Sequence, residues 1–457
     1  MTPKENLSCV LTFVIVGGSI AGLSTAYFMT QSGHKVIILE KQDKQYFLTQ
    51  KSTGLRISPN LTLLLHEIPG MDGLLSKKGI PSTGFALHQG ETFELIGQMI
   101  YSKNIISDLG SIGYRISYID IWRHLYNLCA SHSIEIMFGF EVDQVVCGVD
   151  SIDQTKVLST LKQEIDCDMV IAADGHNSFA HRIILSESDD DVSIEDDVEI
   201  SHFPELDNWN TCRLSIPTKV MQEDPDFSIL LQSPWWMTWM CNGCAYAGGL
   251  EGIDQYGLNI YYAKKGHSTS CNVGWDLQKC KPMSVEEINS IKREPCLQKL
   301  LKLANFCSST SQNPIKFSSY TDVTNHLVLV GDAAHAALVN GFYNTSLAVE
   351  DAFVLGSLFS KIKSARQIPH ILTGYNDLRK KRAKMIRNVE LGVMNMWTLA
   401  PGPQRDARNQ ALSQTLCVDD HVDDVVLAQL WHDHISTCSY NAKDAVEEWW
   451  HNWGTFM

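Results

Sequence analysis

The apolar positions of this chain gather into a few short continuous runs, with helix-spaced or alternating patterns between them. Val14-Ile15-Val16 is a run of the kind a buried parallel strand needs, and Gly17-Gly18-Ser19 turns the chain before a helix begins near Ile20. Leu23, Ala26, Tyr27 and Thr30 share a face of that helix, Gly33 is suited to end it, and 36–39 reads as a second strand closed by Glu40. Helical patterns are predicted over 61–68 and 116–130, and strands over 135–146 with 157–165 paired to them. A second buried strand, 169–173, stops at Asp174-Gly175, and a third, 327–330, ends in Gly331-Asp332-Ala333-Ala334-His335. Between about 195 and 320 the texture alternates between apolar and polar, as at 258–263, which predicts sheet with one solvated or ligand-facing side. A long helix is predicted over 346–359, and the remainder reads as helical, with the basic segment 375–387 as an amphipathic helix.

The stretch 13–41 has the form a dinucleotide requires. Gly17 permits the tight turn, residue 19 must be small for backbone to approach a pyrophosphate, and Gly22 lets the helix pack close to the strand. Free N–H groups at the helix start face the phosphates, and Glu40, 18 residues beyond Gly22, is placed to accept from an adenosine ribose. An acid there favours a 2′-hydroxyl, so FAD or NAD rather than NADP. The middle glycine of the usual G-x-G-x-x-G is Ser19, whose hydroxyl can itself donate to a phosphate.

Length and charge narrow the picture further. At 457 residues, with about 150 per domain, two or three domains are expected. A formal charge of −15 speaks against general nucleic-acid binding, and the acidic run at 186–199 reads as a solvated loop. The first residues lack a signal-peptide pattern, no apolar run is long enough for a membrane span, and 13 cysteines without framework spacing suggest reduced thiols. A cytoplasmic protein, monomer or homodimer, is expected. Cys241 and Cys244 form a CxxC pair without accompanying ligands, so no metal is assigned. The aromatic group 234–239 reads either as core or as the wall of an aromatic pocket.

Three buried strands each end in a glycine-containing turn with an acid: GGSIAG with Glu40, ADG at 173–175 and GDAAH at 331–335. Taken with Ser58-Pro59-Asn60, Glu350-Asp351-Ala352, Tyr375 with Arg379 and Arg382, and the 402–406 segment, this order resembles the class A FAD-dependent monooxygenases of the salicylate-hydroxylase-like group. The resemblance implies an α/β fold, in which a Rossmann-like FAD-binding domain (1–75, 100–195 and 320–390) is interleaved with a mostly antiparallel substrate domain (76–99 and 196–319). A helical C-terminal region, 391–457, would follow. It further implies that Glu40 binds the FAD ribose, that Gly54 lies against the cofactor, and that Asp332 bonds the ribityl or pyrophosphate portion. Gly17, Ser19, Gly22, Lys41, Tyr118 and Thr345 complete the implied cofactor-binding set, and the Asp174-Gly175 turn would serve both the fold and NAD(P)H access.

In such enzymes NAD(P)H reduces the flavin, and oxygen activated there is delivered to an electron-rich ring or double bond in a dry pocket. This chain departs from the pattern near the flavin. Two prolines are absent after His335, and Asn344 and Ser346 replace the glycine and asparagine that bring backbone against the ring. Asn344 can adopt a positive φ at lower cost than most residues. Tyr118 stands where the family has an arginine, with Arg115 and Arg123 near enough to substitute, and His181 stands at another arginine position. The function expected is hydroxylation or epoxidation of an aromatic or indole-like small molecule in secondary metabolism. The alternatives are a relative that has lost oxygen chemistry and catalyses a cyclisation or isomerisation, and a cofactor-free binding protein. No catalytic residue is assigned from sequence; His335 is a weak candidate for proton transfer.

Overall fold

The computed structural model describes residues 9–49, 54–147, 154–186, 209–263, 295–303, 306–311, 317–335, 341–416 and 432–454. The acidic run and residues 336–340 of the altered loop lie outside these. The three predicted buried strands lie side by side. Leu327–Leu329, Met169–Ala172, Thr12–Val16, Lys35–Glu40 and Glu135–Phe138 form, in that order, one parallel five-stranded sheet. Its middle strands are apolar throughout because both faces are covered. Helix Ile20–Gln31 packs against helix Asn344–Phe359, with Phe28 meeting Phe353 edge to face at 5.4 Å.

The alternating region forms a second sheet of seven strands. Its order is Phe306–Ser311, Trp209–Pro217, Gln255–Ala263, Cys244–Leu250, Trp236–Cys241, Gly84–Gln89 and Leu95–Ile100. Only the pairing of Trp236–Cys241 with Gly84–Gln89 is parallel. Cys241 and Cys244 sit opposite each other at a hairpin, both buried. A small antiparallel sheet joins the two large ones, with Gly113–Ser117 between Gly54–Ile57 and Ile80–Ser82.

That small sheet corrects the helix expected over 116–130. Residues 116 and 117 are strand, and the helix is Tyr118–Ser131. Strand partners that no local pattern announces decide the boundary. The helix expected over 61–68 is Pro59–Leu65, started by Pro59 after Ser58. One 30-residue helix runs unbroken from Ile368 to Trp397, across residue 391. Among the described residues no helix is long and apolar enough to cross a membrane.

Buried charge ties the long helix to the parallel sheet. Tyr375 donates its hydroxyl to the Leu329 carbonyl (2.9 Å), Arg379 Nε donates to Asp351 (2.5 Å) and Arg379 Nη1 meets Glu350 (3.0 Å). Arg382 also bonds Glu350, whose Oε1 accepts from Asn60 at 2.7 Å. Tyr375, Arg379, Arg382 and Ser58-Pro59-Asn60 thus form one packed unit.

Candidate active site

The glycine turn is shaped by close backbone contact. Gly17 has φ of 111°, and a Cβ there would lie 2.4 Å from the Ala173 carbonyl oxygen, while one at Gly22 would lie 1.9 Å from that of Gly17. Trp122 Nε1 donates to the Gly18 carbonyl at 2.9 Å and fixes the turn from the far side. Glu40 is 6% exposed; its Oε2 accepts from Gly18 N at 2.7 Å and its Oε1 from Gln42 N at 2.8 Å. Burial raises its pKa, while the two amides and Lys41 pull the other way. Each carboxylate oxygen keeps further lone-pair capacity, which ribose hydroxyls can use.

Ser19 precedes helix Ile20–Gln31 without capping it, and no acid occupies that helix's first turn. The Ser19 hydroxyl lies 3.1 Å from the Tyr118 hydroxyl, which therefore sits at the phosphate end of the turn. Burial pushes the Tyr118 phenol upward, so it stays neutral. Lys41 is exposed beside Glu40, and Arg123 is exposed on its helix. A glycine cradle that any Cβ would fill, a helix N-terminus free of acids and a buried carboxylate with spare acceptor capacity fit the adenosine diphosphate half of FAD.

Asp332 begins the helical turn Asp332–His335 and is half-buried. Behind it, Asp351 accepts from Gly331 N at 2.7 Å and from His335 Nε2 at 2.5 Å, while the His181 ring bonds the Ala333 carbonyl at 2.8 Å. His335 is thus bound into the support of the turn. Burial alone would raise the Asp351 pKa, but the charges of His335 and Arg379 hold it below the usual value. Asn344 begins the helix Asn344–Phe359 and does not use the positive φ open to asparagine. Thr345 follows, half-buried, and the Ser346 hydroxyl meets that of Ser58 at 2.7 Å.

Beneath this segment lies Glu390, 1% exposed, whose Oε1 accepts from Tyr343 N at 3.2 Å while Oε2 has no partner. Burial pushes its pKa up to about 7. The sequence reading passed over Glu390, although its spacing from the buried Ile386 and Met394 marks an acid on an apolar helix face.

Gly54 packs closely against the seven-stranded sheet. Its N–H donates to Glu251 (2.9 Å), its carbonyl accepts from Arg213, and a Cβ would lie 2.2 Å from Glu251 Cβ. Arg213 and Glu251 are themselves paired at 2.7 Å. Gly54 therefore seals the joint between the small sheet and the seven-stranded one.

A narrow cavity of about 50 Å³ opens between these sheets and helix His432–Cys438. Alternation along the strand divides the aromatic group: Trp236 reaches the cavity, while Trp239 packs in the core near Phe93. On the opposite wall His434 is held between two hydroxyls, Tyr101 at 2.6 Å from Nε2 and Tyr343 at 2.9 Å from Nδ1. Burial lowers the His434 pKa to about 4, so at neutral pH one ring nitrogen donates and the other accepts. No sequence signal marks this trio.

Residues 10–188 match the FAD binding domain family. The chain is 21% identical over 417 residues to the FAD-dependent monooxygenase OpS4 of Beauveria bassiana, covering 88% of this chain and 89% of that protein. It is 22% identical over 399 residues to hispidin-3-hydroxylase of Neonothopanus nambi, covering 82% and 86%. A salicylate hydroxylase substrate complex shares the fold, with a TM-score of 0.68 at 16% identity and coverage of 96% and 97%. With an FAD-binding domain over residues 10–188 and monooxygenase relatives that extend over most of its length, the chain is an FAD-dependent oxidoreductase similar to the class A flavoprotein monooxygenases.

Proposed function

We propose that this protein uses NAD(P)H and O2 to hydroxylate or epoxidise an aromatic or indole-like small molecule in secondary metabolism. The observation that carries the reading is the dinucleotide cradle at Gly17–Gly22 with the buried Glu40 carboxylate beside it. FAD, when bound, supplies electron acceptance from NAD(P)H and activation of oxygen. In this reading Glu40 holds the ribose, Gly17, Ser19 and Gly22 admit the pyrophosphate, and Tyr118, Lys41, Asp332 and Thr345 flank the cofactor.

The chain's own residues then keep the reacting ring dry and oriented. Trp236, Phe342 and Tyr114 give it apolar walls. The Tyr101 and Tyr343 hydroxyls hold the neutral His434 ring in place in the cavity wall. The names of similar proteins that print a substrate or product include hispidin, salicylate, notoamide E and a quinolone, which supports a cyclic small-molecule substrate.

The test is substrate-stimulated NAD(P)H consumption with matching oxygen uptake by the purified FAD-loaded protein, screened over hydroxylated aromatics and indoles. Product carrying one atom from labelled O2 is expected. Flavin reduction without any oxygenated product across the panel would overturn the reading.

A further inference from the structure

Glu390 lies on the apolar face of helix Ile368–Trp397, 1% exposed, against the short segment 341–343. Three side chains grip that segment. Arg56 Nη2 donates to the Gly341 carbonyl at 2.8 Å while its guanidinium stacks 4.0 Å over Phe342, the Tyr343 hydroxyl bonds His434 at 2.9 Å, and Glu390 Oε1 accepts from Tyr343 N at 3.2 Å. The segment leads straight into helix Asn344–Phe359 and so sets where Thr345 stands.

The packing around Glu390 suits an acid that keeps its proton. A Cβ at Gly341 would lie 2.7 Å from both Glu390 oxygens and 2.6 Å from Asn344 Oδ1, so three oxygens converge on one glycine. Glu390 Oε2 has no hydrogen-bond partner among the described residues. An ionised carboxyl brings only acceptors to that point, whereas the neutral acid brings an O–H that can donate. The charged groups that face it from other elements are Arg56 on strand Gly54–Ile57, which favours ionisation, and Asp332 at the turn Asp332–His335, which opposes it. The Phe342 and Tyr343 amides also favour the ion, but burial outweighs them and pushes the pKa up to about 7.

One buried acid thus touches the segment that carries Thr345 and feels the charge of Asp332, the two residues that flank the cofactor in the reading above. Resting on that reading, we propose that Glu390 is a positioning residue that works as the neutral acid, its proton keeping 341–345 in the arrangement that holds FAD. Loss of the proton sets a second negative charge near Asp332 and gathers acceptors alone beside Gly341. Both effects disfavour a cofactor that carries a pyrophosphate.

The experiment measures FAD affinity of the full-length protein by equilibrium dialysis across pH, in the natural protein and in Glu390→Gln, which copies the neutral acid. Between about pH 6 and about pH 8.5 the natural protein is expected to lose affinity about three- to tenfold, the loss beginning near pH 7, while Glu390→Gln keeps the low-pH affinity throughout. Arg56→Gln removes the cation that favours ionisation and should move the onset to higher pH, which keeps the test available if Glu390→Gln does not fold. A pH dependence shared unchanged by Glu390→Gln, weak FAD binding by that variant at every pH, or an onset that Arg56→Gln leaves in place or lowers would each overturn the proposal. An onset that follows these variants without NAD(P)H consumption in the screen above would sink the monooxygenase reading alone; oxygenated product with an FAD affinity indifferent to Glu390 would sink this one alone.

Discussion

Arg379 and Arg115 are both buried arginines, 0% and 2% exposed, yet the protein surrounds them in opposite ways. Arg379 meets Asp351, Glu350, the Leu347 carbonyl and the Tyr440 hydroxyl, so every part of its guanidinium is engaged. Arg115 meets one carbonyl and an indole face. Desolvation opposes charge on both, but two carboxylates at Arg379 turn the balance and raise its pKa, whereas at Arg115 the pKa falls. A buried charge whose partners come from the fold is stabilised in its charged form, while one with few partners has that form disfavoured.

The comparison is broken most directly by removing each charge in turn. Arg379→Met removes the cation shared by two buried carboxylates and should cost about 3–5 kcal/mol in urea unfolding of the FAD-loaded protein. Arg115→Met strands no acid and should leave unfolding within about 1 kcal/mol of the natural protein, or raise it. Comparable losses in the two variants would mean that Arg115 is also architecture.

The cofactor cradle offers an intermediate case, a buried acid satisfied on one side by the chain and open on the other. Glu40→Ala should weaken FAD by about 1.5–3 kcal/mol, read as flavin retention and affinity in equilibrium dialysis. Unchanged affinity would mean that its two backbone partners are its whole role.

Glu390 carries the comparison to a carboxyl with an unmet oxygen. Its folded pKa is near 7 against an ordinary 4.5, so between those values the unfolded chain has released a proton that the folded one keeps. Stability from this group is therefore fully present below pH 4.5 and is lost as pH rises through about 7, on the order of 3 kcal/mol in all. Glu390→Gln should flatten this part of the stability profile. A slope unaltered by the substitution would place its origin elsewhere.

The smallest effect expected is at Ser19. Its hydroxyl touches Tyr118, and Ser19→Ala should cost FAD binding only about 0.5–1.5 kcal/mol. A loss as large as that of Glu40→Ala would make Ser19 a principal phosphate ligand.

The sequence by itself determined the dinucleotide unit, the three buried strands and their turns. Each is specified by neighbours within a short stretch: Gly17 and Gly22 by a turn that admits no Cβ, Glu40 by the length of one helix and one strand, and 169–172 by an apolar run covered on both faces. Tertiary structure alone decided the rest of the site. Residues 116 and 117 became strand because Gly54–Ile57 and Ile80–Ser82 flank them, and that pairing set Arg115 opposite Arg56. Gly54 met Glu251 across 197 positions of chain, and Tyr101 met His434 across 333. Periodicity reports which face of an element is buried, but the identity of what covers it comes from elements distant in sequence. The charge balance of the cavity and the proton position of His434 are therefore properties of the assembled fold.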